Sequence, residues 1–150
     1  MDQLIGYMLT LPTYGSWLQG GDKGFVKSGV VCGSNPRLLR ANVKNLQKPP
    51  VKLTLSQKQV IRVEIYQVAE IIRQEIYSLA VCSNHIHIVA NNIDTEISDV
   101  VSYYKRRTSY VMKKLGVEGK IWAKGYDDRY CYDQESLQAR IDYVERHCEG

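Results

Sequence analysis

Two strand-like runs, IYSLAVC at 76–82 and HIHIVAN at 85–91, stand with only Ser83 and Asn84 between them. That is the spacing of an antiparallel hairpin, although Ser-Asn is weaker turn chemistry than Asn-Gly. A helical stripe lies on each side. Ile61, Ile65, Val68 and Ile72 recur at i, i+4, i+7 and i+11, and Ser56 with Gln59 fits a capping box for a helix running to about Glu75. Beyond the hairpin, Val100, Tyr104, Thr108, Val111 and Leu115 mark the inward face of a second helix over 96–115, with Gly116 to end it.

A first strand over 4–11 (LIGYMLTL), a β segment with an internal turn over 120–132 and a last helix over 134–148 complete the chain. In that last helix Leu137, Ile141 and Val144 share one face. The order β-α-β-β-α-β plus a helix predicts an α+β, ferredoxin-like (split βαβ) fold: an antiparallel sheet, helices on one face, and a further C-terminal helix. With 150 residues and 44% hydrophobic content, one domain over 1–150 has chain enough for a core. Residues 12–50, rich in Gly and carrying Pro36, Pro49 and Pro50, read as a long excursion of the kind that usually serves function. Within it LQGGDKG at 18–24 superficially resembles a phosphate loop but lacks the GK[ST] that would complete one.

Bulk properties exclude some classes. No apolar run reaches membrane-span length, and the first residues lack a basic n-region and cleavage site, so the expectation is a cytoplasmic protein without membrane contact. The cysteines Cys32, Cys82, Cys131 and Cys148 form no CxxC pair and are expected as reduced thiols. A net charge of +4 mildly favours an acidic partner. Eleven tyrosines against one phenylalanine give aromatic surface with hydroxyls, which suits base stacking and equally suits a core with satisfied hydroxyls.

The three histidines are His85, His87 and His147. Side chains alternate along a strand, so His85, His87 and Val89 point one way and Ile86, Ile88 and Ala90 the other. If the isoleucines pack on the helices, the two imidazoles stand ~7 Å apart at Cα on the open face, where they can bind one ion. Alone, the same pattern also describes an exposed strand with incidental histidines. Tyr143 and His147 are i, i+4 neighbours and project from one side of the last helix. Alone, they also fit a partly buried Tyr and a His favoured by the helix dipole at a C-terminus. Should the two places meet, every histidine would serve one divalent metal beside a phenol, which is equipment for transesterifying a phosphodiester.

Other assignments fit less well. A histidine-triad hydrolase needs a third alternating His where Val89 stands, and the zincin HExxH is absent. A structural zinc site from His85, His87, His147 and Cys148 would ask adjacent residues on a helix to ligate one ion, and closed tetrahedral sites are mostly Cys-rich. Near the HxH strand in sequence, SYYKRRTSYVMKK at 102–114 interleaves Lys105, Arg106, Arg107, Lys113 and Lys114 with Tyr103, Tyr104 and Tyr110. Its cations could neutralise phosphates and its tyrosines stack bases, or it could be a solvated helix face whose tyrosines serve the core.

Taken together, LTLPTYGSWLQGGDKGFV, AVCSNHIHIVA and IWAKGYDDRYCYDQESLQARIDYV resemble, in this order, the three signature blocks of the HUH single-tyrosine transposases, especially the REP-associated tyrosine transposases. The resemblance covers nearly the whole chain. It implies that His85 and His87 are metal ligands, that Tyr143 is the nucleophile, and that His147 is the third ligand, at a position where the family commonly has Gln or Asn. It implies Mg²⁺ or Mn²⁺ as cofactor and single-stranded or hairpin DNA as partner, nicked and rejoined through a 5′-phosphotyrosine. Lys105, Arg106, Arg107, Tyr103, Lys113 and Lys114 are the expected DNA contacts. The alternative is a non-cleaving hairpin DNA- or RNA-binding module descended from such an enzyme. Whether the chain works as a monomer or a homodimer is left open.

Overall fold

A computed structural model describes residues 3–16 and 49–148, together with the backbone of 25–27 and 30–32. The elements are β1 (Gly6–Pro12), β2 (Phe25–Lys27), β3 (Val30–Cys32), α1 (Leu55–Ile72), β4 (Ile76–Val81), β5 (His85–Asn91), α2 (Ile97–Lys114), β6 (Asp127–Cys131) and α3 (Gln134–Glu145). Strands β4, β5, β1 and β6 form one antiparallel sheet in that spatial order, which is the expected ferredoxin-like arrangement. Inside the 12–50 excursion, β2 and β3 pair with each other as a separate two-stranded ladder. The LQGGDKG segment, and with it residues 17–24 of the first signature block, lies outside the described residues.

The two faces of the sheet are covered unequally. On one, Tyr7, Leu9, Leu11, Ile86 and Ile88 meet Ile61, Ile65 and Val68 of α1 and Val100, Tyr104 and Met112 of α2. Each such fully buried aliphatic side chain contributes about 1.5–3 kcal/mol, so this face holds most of the stability. On the other, α3 rests Leu137 and Val144 on Met8, Val89 and Cys131, a much thinner apolar layer. β1 is buried along its whole length between the two.

Local signals shift by a residue or two from expectation. The capping box is Thr54 with Gln57 rather than Ser56 with Gln59: Thr54 Oγ1 accepts from the Gln57 N–H at 3.2 Å, and Gln57 Oε1 accepts from the Thr54 N–H at 2.9 Å. α1 ends at Arg73 in the left-handed region, φ 59°. On α2 the inward stripe runs through Val100, Tyr104, Thr108 and Met112, successive i+4 steps, while Val111 is half-buried and Leu115 is exposed just past the helix. Gly116, at φ 89°, ends that helix as expected.

Two polar clusters tie the layers together. Gln74 donates to the Tyr7 hydroxyl at 2.7 Å and to the Asn91 carbonyl at 2.9 Å, and accepts from the Tyr104 hydroxyl at 2.6 Å. Burial, the larger cause, lifts both phenols above their ordinary range, so these groups stay neutral donors and acceptors. Thr13, fully buried, sits with its hydroxyl 2.7 Å from the Val51 carbonyl, 3.2 Å from that of Asn84 and 2.6 Å from the Ser16 hydroxyl. It fastens the end of β1 to the β4–β5 turn. Two residues on, Gly15 has φ 83°, and a Cβ there would lie 2.9 Å from the backbone of Pro50, so only glycine fits.

Candidate active site

The β1–β5 register places Thr10 opposite His87 on the sheet face that carries α3. Thr10 Oγ1 lies 2.8 Å from His87 Nδ1, and both side chains are buried. One turn of strand away, His85 Nδ1 lies 2.6 Å from the Asn84 side-chain oxygen, which can only accept, so that nitrogen carries the proton. With its Nδ1 engaged, His85 turns Nε2 toward His147 under α3.

α3 supplies the other half. Asp133 caps it, accepting from the Ser136 N–H at 2.7 Å, and this bond holds the carboxyl below the ordinary carboxylate range. The helix stops at Glu145, three residues short of the expected end, so His147 lies in the turn that follows, its N–H donating to the Val144 carbonyl at 3.0 Å. The side-chain relation to Tyr143 survives, with ring centroids 5.1 Å apart. His147 Nε2 reaches His85 Nε2 at 2.9 Å, a contact that needs one shared proton or one shared cation. His87 and His147 have centroids 4.4 Å apart, His85 and His87 4.7 Å, and His87 and Tyr143 5.6 Å. All four predicted residues therefore meet. Among the described residues, the donor atoms grouped closely enough for one cation are those of Cys82, His85 and His147, with the His87 ring packed against both other imidazoles, and Tyr143 is 44% exposed beside them.

Two expectations need correction. Cys82 and Cys148 are not both reduced thiols: they form a disulfide, with Cα atoms 5.6 Å apart, that ties the chain after α3 to the end of β4. Their separation of 66 residues hides this in the sequence. Cys131 is a free buried cysteine. The second correction concerns α2, which is close to the HxH strand in sequence but covers the opposite face of the sheet from the histidines.

On α2 the six expected DNA contacts divide. Lys105 donates to the carbonyls of Ala123 and Gly125 at 3.0 and 2.6 Å, and burial lowers its pKa. Arg107 pairs with the buried Glu64 of α1 at 3.1 Å. Both hold the protein itself together. Arg106 lies over the ring of exposed Tyr103, and Lys114 over that of exposed Tyr110, while Lys113 is exposed. Thr10 and Asn84 went unsingled by sequence, although a lone Thr in the apolar run YMLTLP was a signal that one position of that strand faces something polar.

A ferredoxin-like sheet bearing an HxH strand, with a tyrosine-bearing helix laid across it, defines a class: the single-tyrosine HUH transposases. Residues 51–147 match the sequence profile of the IS200-like transposases, well over half of the chain, and the chain belongs to that family. Two solved structures share the fold. One is a REP-associated tyrosine transposase bound to a REP hairpin, with TM-score 0.59 and 14% identity over 96% of this chain and 67% of that one. The other is a Deinococcus radiodurans R1 protein assigned as a transposase, with TM-score 0.51 and 13% identity over 100% of this chain and 95% of that one. No curated protein sequence matches the chain. Among the described residues, no helix is long and apolar enough to cross a membrane.

Proposed function

We propose that this transposase is a metal-dependent enzyme that nicks and rejoins single-stranded DNA, with Tyr143 as nucleophile and His85, His87 and His147 as the residues that would hold Mg²⁺ or Mn²⁺. The observation that carries the reading is the convergence of every histidine in the chain on one half-exposed tyrosine. When bound, the ion would polarise the scissile phosphate and offset charge that develops on it. The Tyr143 oxygen attacks phosphorus, its bond to the 3′-oxygen breaks, and the 3′-oxygen leaves as a hydroxyl after taking a proton. The DNA 5′-phosphate is then esterified to Tyr143, and attack by a 3′-hydroxyl reverses the step.

The chain's own residues prepare this step. Asn84 fixes the tautomer of His85 and Thr10 holds the His87 ring in place, while α3 rests on β4, β5 and β1 beside both histidines. Imidazole ligands favour Mn²⁺ over Mg²⁺ as the stronger activator. Arg106, Lys113, Lys114 and Tyr103 would grip DNA away from the reaction centre, across the sheet. A hairpin substrate is favoured because the REP-associated relative is bound to one. The expected location is the cytoplasm.

The test uses labelled single-stranded and hairpin oligonucleotides from the DNA flanking the gene, with Mn²⁺. A denaturation-resistant protein–DNA adduct is expected from the wild type and none from Tyr143→Phe. Binding without an adduct on every such substrate would sink the enzyme reading in favour of a non-cleaving hairpin binder. An adduct from Tyr143→Phe would sink the nucleophile assignment.

A further inference from the structure

The disulfide lies against the same histidines. One donor atom from each of Cys82, His85 and His147 falls within 4.8 Å of the other two, and the Cys148 sulfur is joined to that of Cys82. Opened, the disulfide would present two sulfurs to two imidazoles. Around tetrahedral zinc, with Zn–N near 2.0 Å and Zn–S near 2.3 Å, donors stand roughly 3.3–3.8 Å apart, so the freed sulfurs would part by roughly 2 Å and the imidazoles settle by about 1 Å to close the shell. Adjacent helix residues seldom share an ion because their side chains diverge by about 100°. His147 and Cys148 escape that rule: α3 has already ended at Glu145, and Cys148 takes φ 39°, in the left-handed region, so both side chains reach the β4–β5 turn.

We propose that reduction of Cys82–Cys148 creates a second metal site, a Cys₂His₂ zinc site made of Cys82, Cys148, His85 and His147. Two thiolates select a thiophilic ion such as Zn²⁺, whereas the imidazoles left by the disulfide form hold any divalent ion without that thiolate preference. They also neutralise Zn²⁺, which matters where Cys82 is buried. Asn84 orients His85 for either ion, and His87, held by Thr10, stays outside the zinc set. In the oxidising direction zinc departs, the two thiolates lose two electrons as the S–S bond forms, and a small-molecule disulfide takes those electrons, with two protons from solvent, to become two thiols. Redox state would thus choose which metal the histidines serve. The zinc site does not depend on Tyr143 being a nucleophile, whereas silencing of strand cleavage by zinc rests on the proposed function.

The test is spectroscopic and needs no DNA. Metal-free protein carrying Tyr143→Phe, reduced with a phosphine under inert gas, is titrated with Co²⁺ as a stand-in for Zn²⁺. One equivalent should raise a thiolate-to-cobalt charge-transfer band in the near ultraviolet and the intense visible bands of a tetrahedral site. His87→Gln should keep both, and the disulfide form should lack the charge-transfer band. Cys148→Ser should remove much of the charge-transfer band. Zinc affinity, read by competition with a chromogenic chelator, should fall at least about 100-fold in Cys148→Ser and in the oxidised protein, beyond the usual cost of losing an outer-shell partner. Cobalt bound without a charge-transfer band, a band that survives both Cys148→Ser and Cys82→Ser, or equal zinc affinity in the two redox forms would overturn the proposal. A normal cobalt spectrum in a protein that never forms a DNA adduct would refute the proposed function alone.

Discussion

Replacing Thr10 by Val removes one hydroxyl and keeps the branched shape that β1 needs, so the strand itself is not at risk. The hydroxyl lies 2.8 Å from His87 Nδ1, with each side chain only 6% exposed. At that burial, water replaces the lost oxygen poorly, and the ring nitrogen is left facing a methyl group. The expected destabilisation is about 1–3 kcal/mol. For a domain of this size each kcal/mol shifts the melting temperature by roughly 2–4 °C, so the drop should fall between about 2 and 12 °C. A second effect belongs to the site. A ligating imidazole that loses its outer partner typically costs the metal about 10–100-fold in affinity. Thermal unfolding by circular dichroism reads the first effect, and electron paramagnetic resonance of free Mn²⁺, on disulfide-bonded protein, reads the second. Thr10→Ser, which keeps the hydroxyl, should recover most of the affinity. Thr10→Val with a lowered melting temperature and unchanged Mn²⁺ affinity would refute the claim that Thr10 positions His87 for a metal.

Two further perturbations separate fold from function. Gln74→Leu strips partners from Tyr7, Tyr104 and Asn91 together, and should lower stability by about 2–5 kcal/mol in urea unfolding. Adding Tyr104→Phe should restore part of that loss, because a missing pair costs less than a stranded partner. Replacing Arg106, Lys113 and Lys114 by Gln should flatten the salt dependence of DNA binding by up to about three units of slope. Adduct yield at saturating DNA should stay unchanged, since α2 lies across the sheet from the histidines.

Much of the architecture was legible because its signals are local. The two-residue connection at Ser83 and Asn84 points to a hairpin, and the stripes Ile61–Ile65–Val68 and Val100–Tyr104–Thr108 dictate helices on one face. The side of the sheet on which α2 lies was also readable. If Ile86 and Ile88 meet the helices, the alternation of HIHIV puts His85 and His87 on the other face, and closeness in sequence is no guide to closeness in space. What stayed hidden depends on non-local pairing. Thr10 meets His87 across 77 residues, and that contact is set by strand register, which no window of sequence contains. Cys82 and Cys148 meet only because α3 stops early and the chain turns back at a left-handed residue. Tyr143 and His147 were visible as a pair, but their meeting with the hairpin came from the family pattern and not from spacing.

The central claim is that Tyr143 forms the covalent bond to DNA, and mapping the adduct tests it most directly. The protein is allowed to react with a hairpin oligonucleotide and Mn²⁺, denatured, digested with nuclease and trypsin, and analysed by mass spectrometry. Cleavage after Arg140 and Arg146 releases the six-residue peptide IDYVER, 141–146, with Tyr143 its only hydroxyl-bearing side chain. The account predicts that this peptide carries a 5′-linked nucleotide on Tyr143. A nucleotide found instead on another tyrosine, such as Tyr130 or Tyr132, with IDYVER unmodified, would contradict it.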